Sequence, residues 1–406
     1  MAIKKKTVAV IVSSTAGTYL KTWANFEFVG FDKELNAGVG ECVLKTDAVF
    51  DYGGIDLKVG NRVEIRVCDA DTLAAQALGT NDAGARMIYN GYISMIEREV
   101  IGAKEQVTIR CLGFYTQLAT DILKSGSQTT LYSYASGLTV TAGSIAACDV
   151  GKLVRAVLDR YIAENTSPQI SYDSTQIPDT GTTATYAFEQ KTYREALDIL
   201  KKMAPAGTYY YVDETGAVKF KPTPTTPTHQ FVFGRHFTSV RVEESMEKVR
   251  NFLLVWNGET GGSVVYKHYQ DDGSIAQYGR RGDTMNDYGI DNVNAADLIG
   301  TKFLAENKDP EIKVICTIFD NNNVQGQGYD IESIQPGDTC SFYGFSSELS
   351  QVFRDNMLIT KVKYTLDSVE IEVQLMNAGL VDIQADQTRR IDDIQSGGLS
   401  VPETYT

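Results

Sequence analysis

The chain has 406 residues, a formal net charge of -14 and 43 % apolar residues. That length and apolar content suit about two to four domains with ordinary buried cores. The negative balance excludes nucleic-acid binding through a broad basic face, the source of most such affinity. The six cysteines, Cys42, Cys68, Cys111, Cys148, Cys316 and Cys340, include no Cys-x-x-Cys pair and read as reduced structural thiols.

The first apolar run, Val8 to Val12, is shorter than the ~7–15-residue core of a signal peptide and reads as a β-strand. No run approaches the ~18–20 residues of a membrane span, so the chain is expected to stay in the cytoplasm where it is made. Phe26, Phe28 and Phe31 mark a second strand, and a third runs from Gly40 to Phe50 after the turn-like Asn36-Ala37-Gly38. Asp71 to Arg86 is Ala-rich and predicts a short helix or a long loop; Thr116 to Leu123 turns helical. Lys124 to Ala147 is rich in Ser, Thr and Gly, yet Leu131, Tyr132 and Tyr134 make it an ordered surface excursion rather than a linker. Between Asp149 and Ile162, Val150, Leu153, Val154, Val157, Leu158 and Tyr161 share one helical face.

Residues 163 to 228 predict a compact α/β unit. Thr192 and Glu195 have capping-box spacing. The helix they open buries Ala196, Leu197, Leu200 and Met203 and stops near Pro205 and Gly207. Thr208 to Pro222 is a hairpin across Glu214-Thr215-Gly216. Pro222 to Thr228 is an extended boundary, after which β structure returns at Thr238–Val242 and Asn251–Asn257. A helix is expected over Asn294–Glu306 with Asn294 as N-cap, then a strand over Lys313–Phe319.

Two distant stretches repeat one pattern. Val59-Gly60-Asn61 feeds the alternating run Arg62–Val67, followed by Asn90–Arg98 and Gln106–Cys111; Pro336-Gly337-Asp338 feeds Thr339–Phe342, followed by Asn356–Tyr364 and Ser368–Val373. Alternation with a period of two, punctuated by turn residues, marks half-buried antiparallel strands. The expected fold is therefore mainly β, with two similar small antiparallel β-barrels in one chain and an inserted α/β unit. Duplicated barrels suit a ring of pseudo-equivalent units.

Motifs for chemistry are few. His229, His236 and His268 lack zinc spacing. Asp320-Asn321-Asn322-Asn323 with Asp330 and Glu332 resembles a calcium loop, but Val324 takes a ligand position. Gly38-Val39-Gly40 lacks the rest of a dinucleotide site, no nucleophile elbow occurs, and Arg281-Gly282-Asp283 is a chance tripeptide. Tyr209 and Tyr211 share one strand face and Tyr210 the other, which argues against a single sugar-binding platform. No catalytic, cofactor-binding or metal-binding residue is assigned. The rivals to a structural protein are a cell-wall or polysaccharide hydrolase with paired carboxylates and a carbohydrate-binding β protein.

From Thr192 onward the motif order resembles the hub proteins of bacteriophage tail tips and baseplates, the late-control-D-like fold. The resemblance runs through Thr192–Pro222, Phe231–Gly258, Ser274-Ile275, Tyr278-Gly279, the acidic Asp287–Asn292, Ala295, Ala296 and Leu304, Tyr329-Asp330-Ile331 and Ile334-Gln335-Pro336-Gly337-Asp338; Asn90-Gly91-Tyr92-Ile93 fits the matching first hairpin. It implies a first hub barrel over 1–120, a surface excursion over 121–148, an inserted α/β domain over 149–228, a second hub barrel with one helix over 229–384 and a docking tail over 385–406. It further implies a non-enzymatic virion protein made in the host cytoplasm. As a homotrimer it would place six similar barrels around a DNA channel. Expected partners are other copies of itself, the distal tail or tail-tube protein, a central fibre or spike protein carried on a separate chain, and the tape measure protein. No cofactor, sequence-specific nucleic acid or membrane segment is expected. In the polar tail, Arg389, Arg390, Ile391 and Ile394 form a short amphipathic run expected to order on a partner.

Overall fold

The structure, a computed structural model, describes residues 6–23, 27–47, 57–69, 86–101, 104–123, 132–133, 148–184, 187–188, 191–257, 265–286, 290, 293–320, 329–345 and 357–374. The expectations for 71–85, for most of 124–147 and for the tail with Arg389, Arg390, Ile391 and Ile394 fall outside these residues.

The first seven strands are β1 (Lys6–Ser13), β2 (Tyr19–Trp23), β3 (Glu27–Glu34), β4 (Val39–Asp47), β5 (Arg62–Asp69), β6 (Arg86–Ile101) and β7 (Lys104–Gly113), followed by helix α1 (Tyr115–Thr120). Then come the short pairs β8 (Tyr132–Ser133) and β9 (Cys148–Asp149), helix α2 (Val150–Glu164), and the short β10 (Ser171–Tyr172), β11 (Thr183–Ala184) and β12 (Ala187–Phe188). Helix α3 (Tyr193–Met203) leads to the hairpin β13 (Thr208–Val212) and β14 (Ala217–Pro222). The rest is β15 (His229–Val232), β16 (Val240–Ser245), β17 (Phe252–Trp256), β18 (Tyr266–Gln270), α4 (Asp272–Tyr278), β19 (Gly282–Asn286), α5 (Val293–Asn307), β20 (Glu311–Phe319), β21 (Thr339–Tyr343), β22 (Met357–Tyr364) and β23 (Ser368–Gln374).

The molecule is mainly β. One 13-stranded sheet runs β16-β20-β23-β22-β3-β4-β7-β6-β5-β1-β2, with β21 on β22 and β15 on β21. Within it the duplication is explicit. In chain order β1, β3, β4, β5, β6 and β7 take sheet positions β1-β5-β6-β7-β4-β3, while β15, β16, β20, β21, β22 and β23 take β15-β21-β22-β23-β20-β16. Arg62–Val67 and Thr339–Phe342 thus occupy the same topological position. One strand departs from the expected antiparallel pattern: β1 is antiparallel to β5, whereas β15 is parallel to β21.

Core residues match between copies. Leu44 and Cys42 pair with Ile109 and Cys111 in the first copy, and Cys316 and Val314 pair with Ile371 and Val373 in the second; all are buried. Both copies line one shared apolar cluster, which includes Val12, Phe31, Ile65, Phe231, Ile359 and Val373. They are joined directly, β3 pairing antiparallel with β22 from Phe31↔Tyr364 to Glu34↔Lys361.

A second core gathers α1, α2, α3 and α5 with Tyr210, Val218 and Phe220 of the hairpin and Leu253 and Val255 of β17. The α2 cap is Asp149, whose side chain accepts from Gly151 N, and α3 carries the expected capping box between Thr192 and Glu195. Two sequence expectations need correction. The β18-β17-β19 sheet and α5 pack into this second core, not with the second copy, because the apolar face of α5 (Ala295, Ala296, Ile299) meets Leu253, Val255 and the inserted helices. The stretch expected to hold one helix also holds α4, and α5 begins at Val293, which places Asn294 inside the first turn rather than at the cap.

Candidate assembly site at the joint between the two copies

In each copy a tight turn that only glycine fits comfortably leads into the fourth strand, β5 or β21. In the first, Asn61 N donates to Lys58 O at 3.1 Å; in the second, Asp338 N donates to Gln335 O at 3.2 Å. Gly60 and Gly337 share a φ of +91°, a left-handed conformation that costs a side-chain-bearing residue ~1–2 kcal/mol. The same tie succeeds each turn. Gly60 N donates to Ile93 O at 2.8 Å and Ile93 N to Asn61 O at 2.8 Å; Gly337 N donates to Ile359 O at 2.9 Å and Ile359 N to Asp338 O at 2.9 Å. Both hairpins then carry a bulge, between Ile93 and Met95 and between Ile359 and Lys361. A bulge bends its strand and redirects the residues beyond it, so each copy bends the first strand of this hairpin, β6 or β22, in the same way.

The joint where β3 meets β22 is covered by the inserted hairpin. The turn after β3 carries Leu35 and Asn36, both wholly buried, and Asn36 has a positive φ of 57°. Leu35 N donates to Thr360 O of β22 at 2.9 Å, Asn36 N to Tyr210 O at 2.9 Å, and Val212 N to Ala37 O at 3.1 Å. Tyr210 N returns a bond to Asn36 Oδ1 at 3.2 Å. Tyr209 and Tyr211 close over Leu35 and Leu358 as a small separate cluster, while Tyr210 points into the helical core and donates to Asp198. The face separation expected for the three tyrosines holds. Its outcome is an internal clamp that joins the α/β unit to both copies.

The clamp has a polar rim. Lys33 is 4 % exposed, and its Nζ donates to Glu214 Oε2 at 3.2 Å and to Gln335 Oε1 at 3.1 Å. Tyr211 Oη donates to the same Gln335 oxygen at 3.2 Å. Burial lowers the Lys33 pKa, with Glu214 opposing that shift. On the other face of β3, Lys361 lies 3.4 Å from Asp32 and 3.9 Å from Glu34. Burial works against its charge, but Glu34 and Asp32 outweigh burial and hold its pKa above the ordinary value. Arg86 of the first copy pairs with Asp330 of the second, and Tyr364 Oη donates to Glu332 Oε1 at 2.8 Å. These contacts give Asp330 and Glu332 partners within the chain; Asn321 to Asn323 lie outside the described residues.

Other residues singled out for chemistry are also held in contacts within the chain. His229 bridges Asp338 at 3.0 Å and Tyr329 at 2.6 Å, tying β15 to the second turn. Burial lowers the His236 pKa. Arg281-Gly282-Asp283 leads into β19, where Arg281 N donates to Asn251 Oδ1 at 2.7 Å. Burial raises the thiols of Cys42, Cys111, Cys316 and Cys340 well out of the reactive range. Among the described residues no group of three or more His, Cys, Asp or Glu is placed to hold a metal, and no helix is long and apolar enough to cross a membrane. Sequence reasoning recognised the two turns and the Asn36 turn but missed the clamp. The available signal was a strand, Thr208–Val212, without a charge on either face, the mark of burial on both sides.

This fold, a duplicated sheet with a helical unit clamped over its joint, is that of prophage tail proteins. It matches the 43 kDa tail protein of prophage MuSo2 from Shewanella oneidensis at 12 % identity and a TM-score of 0.58, over 92 % of this chain and 99 % of that one. It matches a tail protein from Neisseria meningitidis MC58 at 11 % identity and a TM-score of 0.59, over 91 % and 97 % of the two chains. Prophage tail protein gp18 from Listeria monocytogenes EGD-e aligns at 11 % identity and 0.54, over 95 % and 99 %. No protein-family model and no curated protein sequence matches the chain.

Proposed function

We propose that this chain is a structural protein of a phage tail or baseplate, and within it the hub: a homotrimeric ring that joins the hexameric tail tube to the distal tip and encloses the DNA channel. The observation that carries this reading is the duplication, two sets of six strands in matching order joined in one chain where β3 of the first pairs with β22 of the second. Three such chains present six similar units, which matches a sixfold tube to a threefold tip. The shared fold with prophage tail proteins supports a place in the virion. The tail-tube protein, a central fibre or spike protein and the tape measure protein are the partners such a ring meets. The net charge of -14 suits a conduit that DNA crosses without being held.

Mass measurement of the purified chain in solution tests the ring: a trimer is expected, and a chain that stays monomeric at all concentrations refutes it. The same preparation added to cell walls in a turbidity assay separates scaffold from hydrolase, since clearing would establish the enzymatic alternative.

A further inference from the structure

The joint inside the chain has a counterpart that no described strand fills. In the second copy, β22 shares one edge between two neighbours: β21 pairs at Met357 and Leu358, and β3 pairs at Lys361 to Tyr364. In the first copy the equivalent strand, β6, meets β5 from Arg86 to Tyr92. From Met95 to Ile101, among the described residues, only β7 pairs with it, on the opposite edge. Met95 and Val100 there are 46 % and 68 % exposed. The strand equivalent to β3 is β16, which ends the sheet and pairs only with β20 among the described residues. Among the described residues, one edge that the fold fills once, and one strand that fills it once, are thus each presented again without a strand partner.

We propose that a second copy of this chain lays its β16 antiparallel on the open half of β6, repeating between molecules the joint that β3 makes with β22 within one. This rests on the ring reading above and names the surface that builds the ring. The contact is heterologous, so successive copies close a ring or extend a filament. Alternating internal and intermolecular joints would then be quasi-equivalent.

The equivalence also fixes the register. Phe31 and Val242 correspond through their partners Cys42 and Val314, and Ile93 and Ile359 through theirs, Cys111 and Val373. Transferring Phe31↔Tyr364 through Glu34↔Lys361 sets Val242 opposite Arg98, Glu243 opposite Glu97, Glu244 opposite Ile96 and Ser245 opposite Met95. Side chains alternate across a strand, so Arg98 lies diagonal to Glu244 on one face and Ile96 lies diagonal to Val242 there. On the other face Glu97 meets Glu243, and Arg241, which already pairs with Glu243, lies diagonal to it.

The test is a cysteine pair in the full chain, Glu97→Cys with Glu243→Cys. Directly opposite residues of an antiparallel pair sit ~4.5–5.5 Å apart at Cα, within disulfide reach. Mild oxidation should yield covalent dimers and trimers in the double variant and neither in the single variants, which control for the native thiols. The pair Glu97→Cys with Glu244→Cys, whose side chains point to opposite faces, should not cross-link. Circular dichroism establishes that each variant is folded. A chain that assembles to trimer mass without the Glu97–Glu243 cross-link overturns this surface and leaves the ring standing. A chain that neither assembles nor cross-links overturns both.

Discussion

Replacing Asn36 tests whether the clamp over the joint stabilises the fold. Asn36 adopts a φ of 57°, is wholly buried, and accepts the Tyr210 N–H through its side chain. Alanine loses on two counts: the left-handed conformation costs ~1–2 kcal/mol for a residue with a Cβ, and a buried donor without its acceptor costs ~1–3 kcal/mol. Asn36→Ala should therefore destabilise the chain by about 2–5 kcal/mol. Asn36→Gly restores conformational freedom but not the acceptor, so it should lose only about 1–3 kcal/mol. Urea unfolding of the full chain, followed by circular dichroism and compared through transition midpoints and slopes, reads both values. If both variants unfold within about 0.5 kcal/mol of the parent, the clamp is not a stabilising element. If glycine is as damaging as alanine, the conformational half of the argument is wrong.

Two further outcomes are expected from the same geometry. Gly337→Ala should destabilise more than Gly60→Ala: both sites have a φ of +91°, but a Cβ at Gly337 would stand 2.2 Å from the Tyr209 ring, while one at Gly60 would meet only the Thr15 methyl at 3.3 Å. Equal midpoints in parallel denaturation curves would contradict this. Burial raises the pKa of Tyr89, Tyr211 and Tyr364 above the ordinary value near 10. A group raised on folding contributes stability that is complete below the unfolded pKa and lost as pH climbs toward the folded one. Stability should thus fall steeply above about pH 10, with tyrosinate absorbance appearing together with loss of the β signal. Smooth ionisation of all tyrosines near pH 10 with the β signal intact would refute it.

Local repetition made much of this fold readable. Val59-Gly60-Asn61 and Pro336-Gly337-Asp338 each dictate a turn, and the alternating runs beside them can bury only one face, so the two copies were legible from chemistry within a few residues of each other. The helices at Asp149 and Thr192 were legible for the same reason, through caps and apolar stripes. The joint was not. Phe31-Asp32-Lys33-Glu34 looks like a strand running out into solvent, and nothing nearby shows that Lys33 will be covered by Glu214 and Gln335. The parallel placement of β15 was equally hidden, because strand direction depends on the path between strands rather than on the residues within them. The packing of α5 against β17 rather than the second copy was decided by which apolar face lay within reach in three dimensions.

The contact between Lys33 and Gln335 spans 302 residues of chain, which gives biosynthesis an order of events. As the protein leaves the ribosome, the first copy is finished long before β22 exists, and the free edge of β3 must wait. Contacts this distant in sequence form slowly, because a long loop must close before they stabilise anything. During that interval β3 presents an unsatisfied edge of the kind that seeds aggregation. The Tyr209–Tyr211 strand emerges in between and can settle on the Leu35–Asn36 turn first. The inserted unit would then act during synthesis as a built-in guard, shielding the waiting turn until the final hairpin arrives.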